Sequence, residues 1–214
     1  RCGGTWRENT YPNVACDVFA PSYAYSFEPN TEWGYRFARG EEIQRYLERC
    51  ERKYGLAAYI RYNNEITSAQ WQDGKWQGRS ADGEADWGGV LVCAVGALHV
   101  PRYPTEIAGF GSFTGAAFHT AQWDHNVNIR QQRVGIIGTG STAAQVVPGI
   151  VDKVKSVSLF QRTAQWVASV PDKKYSEGCK ARRRKYPWLA RLNHWFDLQL
   201  FHWIFTGAVR GNRL

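Results

Sequence analysis

The chain has 214 residues, 43% of them hydrophobic, with 10 Trp, 11 Tyr and 10 Phe, which is enough to bury a core and too aromatic for a disordered tail. Its net charge is +8, and its five cysteines form no CxxC pair, which argues against a zinc site, a disulfide framework and a dithiol flavoprotein reductase. Without an apolar window of about 18 residues, no membrane-spanning helix is expected.

Residues 1–30 are rich in Gly, Pro, Asn and Tyr and lack a helical period, which predicts a long ordered loop. Over 40–55, Ile43, Tyr46, Leu47 and Cys50 fall at i, i+3, i+4 and i+7 and form one apolar stripe. Glu41 and Glu42 suit the first turn of that helix, Arg52 and Lys53 the last, and Gly55 the position just past its end. The pattern then changes to short strands at 59–62, 66–69, 75–78 and 89–93, separated by Asn63-Asn64, Asp73-Gly74 and Asp82-Gly83. Pro101 and Pro104 introduce a linker over 97–131. Val134 to Ile137 reads as a strand, 141–151 as a helix that Pro148 should end or kink, and Ser156 to Phe160 as a second strand. The basic run of Lys173, Lys174 and Lys180 to Lys185 reads as a solvated loop, not a nucleic-acid surface. Residues 186–206 carry a helical aromatic stripe of Trp188, Leu192, Trp195, Phe196, Leu198, Phe201 and Trp203, expected to pack against protein absent from this chain.

Chemistry concentrates between the two strands near residue 137. The first runs straight into Gly138, Thr139, Gly140, Ser141, Thr142 and Ala143, the order of strand, tight glycine turn and helix start that a dinucleotide-binding βαβ unit needs. The first Gly permits the turn, the second admits a pyrophosphate to the backbone, and Ala143 lets helix and strand approach. An NAD-binding unit places an acid about 20 residues past the glycines to accept from the ribose 2′-OH. Here Arg162 and Thr163 end the second strand instead, and a guanidinium suits a 2′-phosphate, so the cofactor is read as NADP.

Upstream lies a spaced pattern of Phe113, Gly115, His119, Trp123 and Asp124. This FxGxxxHxxxW(P/D) pattern resembles the fingerprint of type I Baeyer–Villiger monooxygenases within the flavin-containing monooxygenases. The likeness extends through Gly3 to Trp6, Asn9, Tyr11-Pro12, Cys16-Asp17, Tyr25 to Phe27 and Gln161 to Thr163, continuing to Gln165, Trp166 and Val167. The run from His119 to His125 is most similar to the 4-hydroxyacetophenone monooxygenase branch.

The resemblance implies an α/β two-dinucleotide-binding-domain flavoprotein with Rossmann-like FAD and NADPH domains. With Met absent and Arg1 first, the chain is expected to be a fragment truncating both domains. Residues 1–100 would be part of the FAD domain, 101–131 the linker with the fingerprint, and 132–214 part of the NADPH domain. The strands of 59–93 would form the small β-meander of such proteins, with 90–95 as the final FAD-domain strand. FAD would border Thr5, Trp6, Arg7, Glu8, Asp17, Tyr23 and Ile66. NADP would be held by Gly138, Thr139, Gly140, Ser141, Thr142, Ala143, Gln145, Arg162 and Thr163. Asp17 is the implied catalytic carboxylate, paired in the family with an Arg that this chain lacks, and His119 is read as a structural residue of the linker rather than a metal ligand or base. The implied reaction is Baeyer–Villiger oxidation, in which NADPH reduces FAD, O2 adds at the flavin C4a, and the peroxide attacks a small-molecule ketone to give an ester or lactone. N- or S-oxygenation, and a fragment that binds nucleotide without turnover, are the alternatives. A cytoplasmic enzyme without a metal or nucleic-acid partner is expected, and its oligomeric state is not indicated.

Overall fold

The structure, a computed structural model, describes residues 1–96, 98–165 and 171–210, without the side chains of Phe205 and Ala208. Trp166 and Val167 lie outside the described residues.

Two hydrophobic clusters organise the chain, one around each of its two central helices. A single helical turn, α1 (Thr5–Glu8), interrupts the expected N-terminal loop. Helix α2 (Gly40–Lys53) forms where the apolar stripe predicts it and buries Ile43, Tyr46 and Cys50. The Glu42 carboxylate accepts from Arg39 N at 3.1 Å and Gly34 N at 2.7 Å, so it satisfies one N–H at the helix start and ties down the preceding loop. Gly55 follows the helix at φ 62°, the left-handed conformation in which glycine carries no Cβ penalty. The α2 face packs on Cys16, Ala20, Trp33 and Ala38, with Trp33 fully buried.

After α2 the chain enters a short 3-10 turn at Leu56–Tyr59, so the strand expected at 59–62 is not formed. Tyr62 instead reaches back to donate to Glu51 Oε1 of α2 at 2.7 Å. Strands β1 (Ile66–Gln72), β2 (Lys75–Ser80) and β3 (Ala85–Gly88) make the antiparallel meander, in order β1-β2-β3. Asp73 and Gly74 both take positive φ, 51° and 76°, as a two-residue hairpin turn demands. The third strand lies four residues earlier than the apolar run suggested. Val90, Val92 and Val95 belong to no described strand and are about 80% exposed: 81%, 80% and 80%. An all-apolar strand of this kind needs a neighbouring ladder and cover on both faces, and none of the described residues provides them.

The second cluster is built on β4 (Arg133–Ile137) and β5 (Ser156–Phe160), paired in parallel from Arg133↔Ser156 to Ile137↔Phe160. Helix α3 (Ser141–Ile150) crosses between them and buries Ala143, Val146 and Ile150. The helix runs two residues past Pro148, within the expected span of 141–151, so the proline does not end it. Proline this close to the C-terminus removes a single bond of the last turn, and burial of Ile150 holds that turn in place. Val154, Val134, Ile136 and Val157 complete the cluster, and Tyr11 enters it from the N-terminal loop.

The basic run is not wholly a solvated loop. Tyr35 and Lys174 form an antiparallel bridge, flanked by Arg36 N to Lys173 O at 2.8 Å and Tyr175 N to Gly34 O at 2.8 Å. The rest of the run is helix α4 (Glu177–Lys185), started by Ser176, whose Oγ accepts from Cys179 N at 3.2 Å. Arg183 is buried with its guanidinium 4.1 Å over the Tyr175 ring, whose electron-rich face accepts the cation. Helix α5 (Pro187–Val209) also finds part of its partner within this chain. Phe201 meets Phe19 at 5.2 Å, and His194 Nδ1 donates to the Pro21 carbonyl at 2.8 Å. Trp188, Trp195, Phe196 and Trp203 remain exposed. No described helix is long and apolar enough to cross a membrane.

Candidate functional site

The glycine turn is built as the strand–turn–helix order requires. Gly138 sits at φ 107°, and its N–H donates to Phe160 O at 2.9 Å, which lays the turn against the end of β5. That contact brings residues 161–163 beside it: Thr139 Oγ1 donates to Thr163 O at 3.5 Å, and Gln161 Nε2 to the same oxygen at 3.3 Å. A Cβ at Gly138 or at Gly140 would find no atom within 4 Å, so the backbone faces open space there. Gly140 is the residue before α3, and no side chain caps the first-turn N–H groups of that helix. An uncapped helix N-terminus behind an open glycine turn offers donors and dipole to an anion, and exposed Arg162 adds a fixed positive charge. The residues present therefore fit a dinucleotide phosphate.

Gln145 takes a different position from its expected neighbours. Its Oε1 accepts from Tyr11 OH at 3.0 Å and Ala15 N at 3.1 Å; its Nε2 donates to Ala15 O at 3.0 Å and Asp17 Oδ1 at 2.6 Å. Asn13 Nδ2 donates to the Gln145 carbonyl at 3.3 Å. The loop 11–17 is thus laid along α3, and Gly149 allows its closest approach. A Cβ at that glycine would stand 2.9 Å from Pro12 Cβ and 3.1 Å from Pro12 O. Asp17 itself is exposed, with Gln145 as its partner. Tyr11 titrates above its ordinary range because burial disfavours the phenolate, and burial pushes the Cys16 thiol up to about 11.

The residues expected to border FAD fall into separate groups. Trp6 Nε1 donates to Tyr23 OH at 3.0 Å with the rings edge to face at 5.5 Å, and burial raises the Tyr23 hydroxyl above the usual tyrosine range. Trp6 and Arg7 line a cavity of about 450 Å³ together with Asn9, Thr10, Asn13 and Arg39. Its wall mixes the Trp6 indole and Val14 with amides, the guanidiniums of Arg1, Arg7 and Arg39, and the Glu41 carboxylate. Thr5 shares α1 with them. Glu8 pairs with His99 Nδ1 at 2.9 Å and with Arg7 at 2.6 Å, and the His99 bond above all holds its carboxyl below the ordinary range. Ile66 opens β1 with its side chain exposed; it does not line that cavity, and neither do Asp17 and Tyr23.

The fingerprint has a local reason for each spacing. The Phe113 ring folds over Gly115, where a Cβ would stand 2.6 Å from it, so Phe-x-Gly is a packing unit. His119 caps the following 3-10 turn: Nδ1 accepts from Ala121 N at 3.1 Å, which leaves the ring proton on Nε2 in the neutral form. Tyr103 lies edge-on to the imidazole at 5.7 Å and its hydroxyl accepts from His119 N at 3.2 Å. His119 thus ties the 3-10 turn to Tyr103 within the linker. Trp123 packs on the second cluster and against Phe118, while Asp124 Oδ1 accepts from Asn126 N at 2.9 Å. Next to it, His125 Nε2 meets Thr10 Oγ1 at 2.8 Å, a second tie between linker and N-terminal loop.

Sequence reasoning assigned no role to Tyr11, Ala15, Thr10 or Gly149, although all four hold the loop against α3 or the linker. Tyr11 stood in the quoted Tyr-Pro pair, which was the available signal. Their partners lie more than 100 residues away, beyond any periodicity.

A parallel βαβ unit with an open glycine turn, joined by a linker to a helix and β-meander, defines a partial two-dinucleotide-binding-domain flavoprotein. The family match agrees: residues 7–198 fit the flavin-binding monooxygenase-like family, and the chain belongs to it. A Baeyer–Villiger monooxygenase from Pseudomonas aeruginosa is 41% identical over 192 residues, covering 89% of this chain and 36% of that protein. Among solved structures, ε-caprolactone-bound cyclohexanone monooxygenase in the Loose conformation superposes with TM-score 0.78 at 30% identity, over 86% of this chain and 37% of that one. The OTEMO complex with FAD and NADP (form 4) gives TM-score 0.79 at 30% identity, over 87% and 38%. The chain thus spans well under half the length of these proteins. Their names do not single out the 4-hydroxyacetophenone branch.

Proposed function

We propose that this chain is the flavin-facing loop, linker and part of the NADPH-binding unit of a monooxygenase that converts a small ketone to an ester or lactone with O2, FAD and NADPH. The observation that carries the nucleotide half is the open glycine turn at Gly138 and Gly140 ahead of an uncapped helix, with Arg162 beside it. Thr139 to Thr142 hold the pyrophosphate through backbone N–H groups, with Gly138 making the turn, and Arg162 with Thr163 meets the 2′-phosphate. The OTEMO complex supports FAD and NADP as the pair, and the lactone on cyclohexanone monooxygenase supports a ketone substrate. When bound, FAD supplies the oxygen chemistry and NADPH the reducing electrons. The chain's own part is to bind and orient. Thr5 to Glu8, Tyr23 and Ile66 border the flavin, and Asp17 presents a carboxylate to the nicotinamide and flavin side. The fingerprint from Phe113 to Asp124 carries the connection between the two units, with residues 1–100, 101–131 and 132–214 as their approximate bounds.

The test is an assay of the full-length flavoprotein for ketone-dependent NADPH consumption and ester formation, with a thioether as competing substrate. Ester formation supports the proposal, and sulfoxide without ester moves the protein to the S-oxygenating branch. Arg162→Ala checks the phosphate assignment: loss of a bidentate charged contact should weaken NADPH roughly 10- to 100-fold and leave NADH within about twofold. Equal losses for both would refute it.

A further inference from the structure

We propose that Gln145 is a positioning residue that fixes the Asp17 carboxylate to the helix behind the glycine turn, so that Asp17 and the nucleotide site at that turn are held in one fixed geometry. This inference rests on the functional reading above for the identity of the nucleotide.

The geometry assigns every hydrogen-bonding capacity of the Gln145 amide. Oε1 faces two donors, the Tyr11 hydroxyl and Ala15 N–H; Nε2 faces two acceptors, the Ala15 carbonyl and Asp17 Oδ1. A flipped amide would set oxygen against both acceptors, so only one orientation is compatible with its neighbours. The amide has no capacity left for a nucleotide, which separates Gln145 from the Thr139 to Thr142 donors at the turn and the start of its helix. Its two bonds to Ala15 copy a strand pairing and lock the backbone next to Asp17. The short Nε2 to Asp17 bond then sets the carboxylate itself.

The platform is firm on both sides. Tyr11 is buried in the α3 cluster, and Pro12 sits against Gly149 where no Cβ fits. The loop therefore cannot slide along α3 without breaking packing. Asp17 is therefore held at a fixed position relative to the N-terminus of α3. Asp17 is otherwise an exposed side chain on a loop, and a carboxylate that must meet a cofactor at a defined place needs such an anchor.

The test compares wild type, Gln145→Glu, Gln145→Leu and Asp17→Asn in the full-length protein loaded with FAD. Three readouts are needed: NADPH affinity, the flavin reduction rate at saturating NADPH, and hydrogen exchange at Ala15 N–H without nucleotide. Gln145→Glu keeps the acceptor for Tyr11 and Ala15 N–H but cannot donate to Asp17. Ala15 N–H should stay protected while reduction slows roughly 10- to 100-fold and NADPH affinity changes less than about threefold. Gln145→Leu should lose the Ala15 protection as well. Placing Gln145→Glu on Asp17→Asn should add less than about twofold, because the asparagine amide can donate to the new carboxylate and the two positions act as a unit. Affinity that falls in step with reduction rate would make Gln145 a nucleotide contact and overturn the proposal. Independent, additive losses would also overturn it. A wild-type protein that takes up no NADPH refutes the functional reading instead, and the Ala15 exchange pattern still decides the linkage.

Discussion

Replacing Gly149 by Ala is the sharpest test of how the N-terminal loop sits on α3. In an isolated helix the change is favourable, worth up to about 1 kcal/mol in propensity and less in the last turn, where Gly149 lies. Here the new Cβ meets Pro12 Cβ at 2.9 Å, Asn13 Cβ at 3.1 Å and Pro12 O at 3.1 Å. Two of these atoms belong to a ring and a backbone carbonyl, which cannot rotate away as the tip of a long side chain would. Overpacking of this kind costs about 1–3 kcal/mol, so the net effect should be a loss of roughly 1–2 kcal/mol. Gly178→Ala is the control, because its Cβ meets only Ser176 Oγ at an ordinary 3.9 Å. It should be neutral or stabilising by a few tenths of a kcal/mol. With a urea slope of about 2 kcal/mol/M, Gly149→Ala should lower the midpoint by about 0.5–1 M while Gly178→Ala holds or raises it. A Gly149→Ala midpoint at or above wild type would refute the close approach of loop and helix, and with it the rigid platform under Asp17.

Two further outcomes follow from burial and charge. The Cys16 thiol is buried and raised to about 11, whereas Cys93 is exposed, so a thiol reagent at pH 8 should label Cys93 in seconds to minutes and Cys16 only on unfolding. Equal rates in Cys16→Ala and Cys93→Ala single variants would contradict the burial. Asp197 and Glu28 should give opposite pH signatures. Burial raises the Asp197 carboxyl despite Arg36, Arg183 and His194 nearby, so its folded pKa exceeds its unfolded one and ionisation destabilises the fold as pH rises through the carboxylate range. Asp197→Asn should therefore raise the urea midpoint at pH 7 but not at pH 3. The Lys53 hydrogen bond, foremost, lowers Glu28, whose stabilisation is present above the ordinary carboxylate range and is lost as pH falls. Glu28→Gln should lower the midpoint at pH 7 and converge with wild type at pH 3; the reverse pattern in either variant would sink the assignment.

What the sequence made legible was whatever depends on near neighbours. Helix α2 follows from a stripe of four residues and Gly55, the Asp73-Gly74 hairpin from turn chemistry, and the glycine turn from a strand and helix on either side. Where the pattern misled, a distant partner was missing from view. The run from Val90 to Val95 has the composition of a buried strand, but composition cannot supply the ladder such a strand requires. The basic run looked solvated because charge runs usually are, while Tyr175 and the segment around Tyr35 provide Arg183 with an aromatic face and α4 with a foundation.

The same limit explains Gln145. Its place in the helix after a glycine turn made it one of the residues grouped with the nucleotide, since motif logic assigns roles by distance along the chain. The structure instead ties its amide to Tyr11, Ala15 and Asp17, with separations of 134, 130 and 128 residues. Trp123 packs on the cluster that Tyr11 enters, and the adjacent His125 bonds Thr10. The fingerprint and the glycine-turn helix therefore grip one stretch, residues 10–17, from two sides. A local pattern in the linker and a local pattern in the nucleotide unit converge on a loop that has no regular pattern of its own.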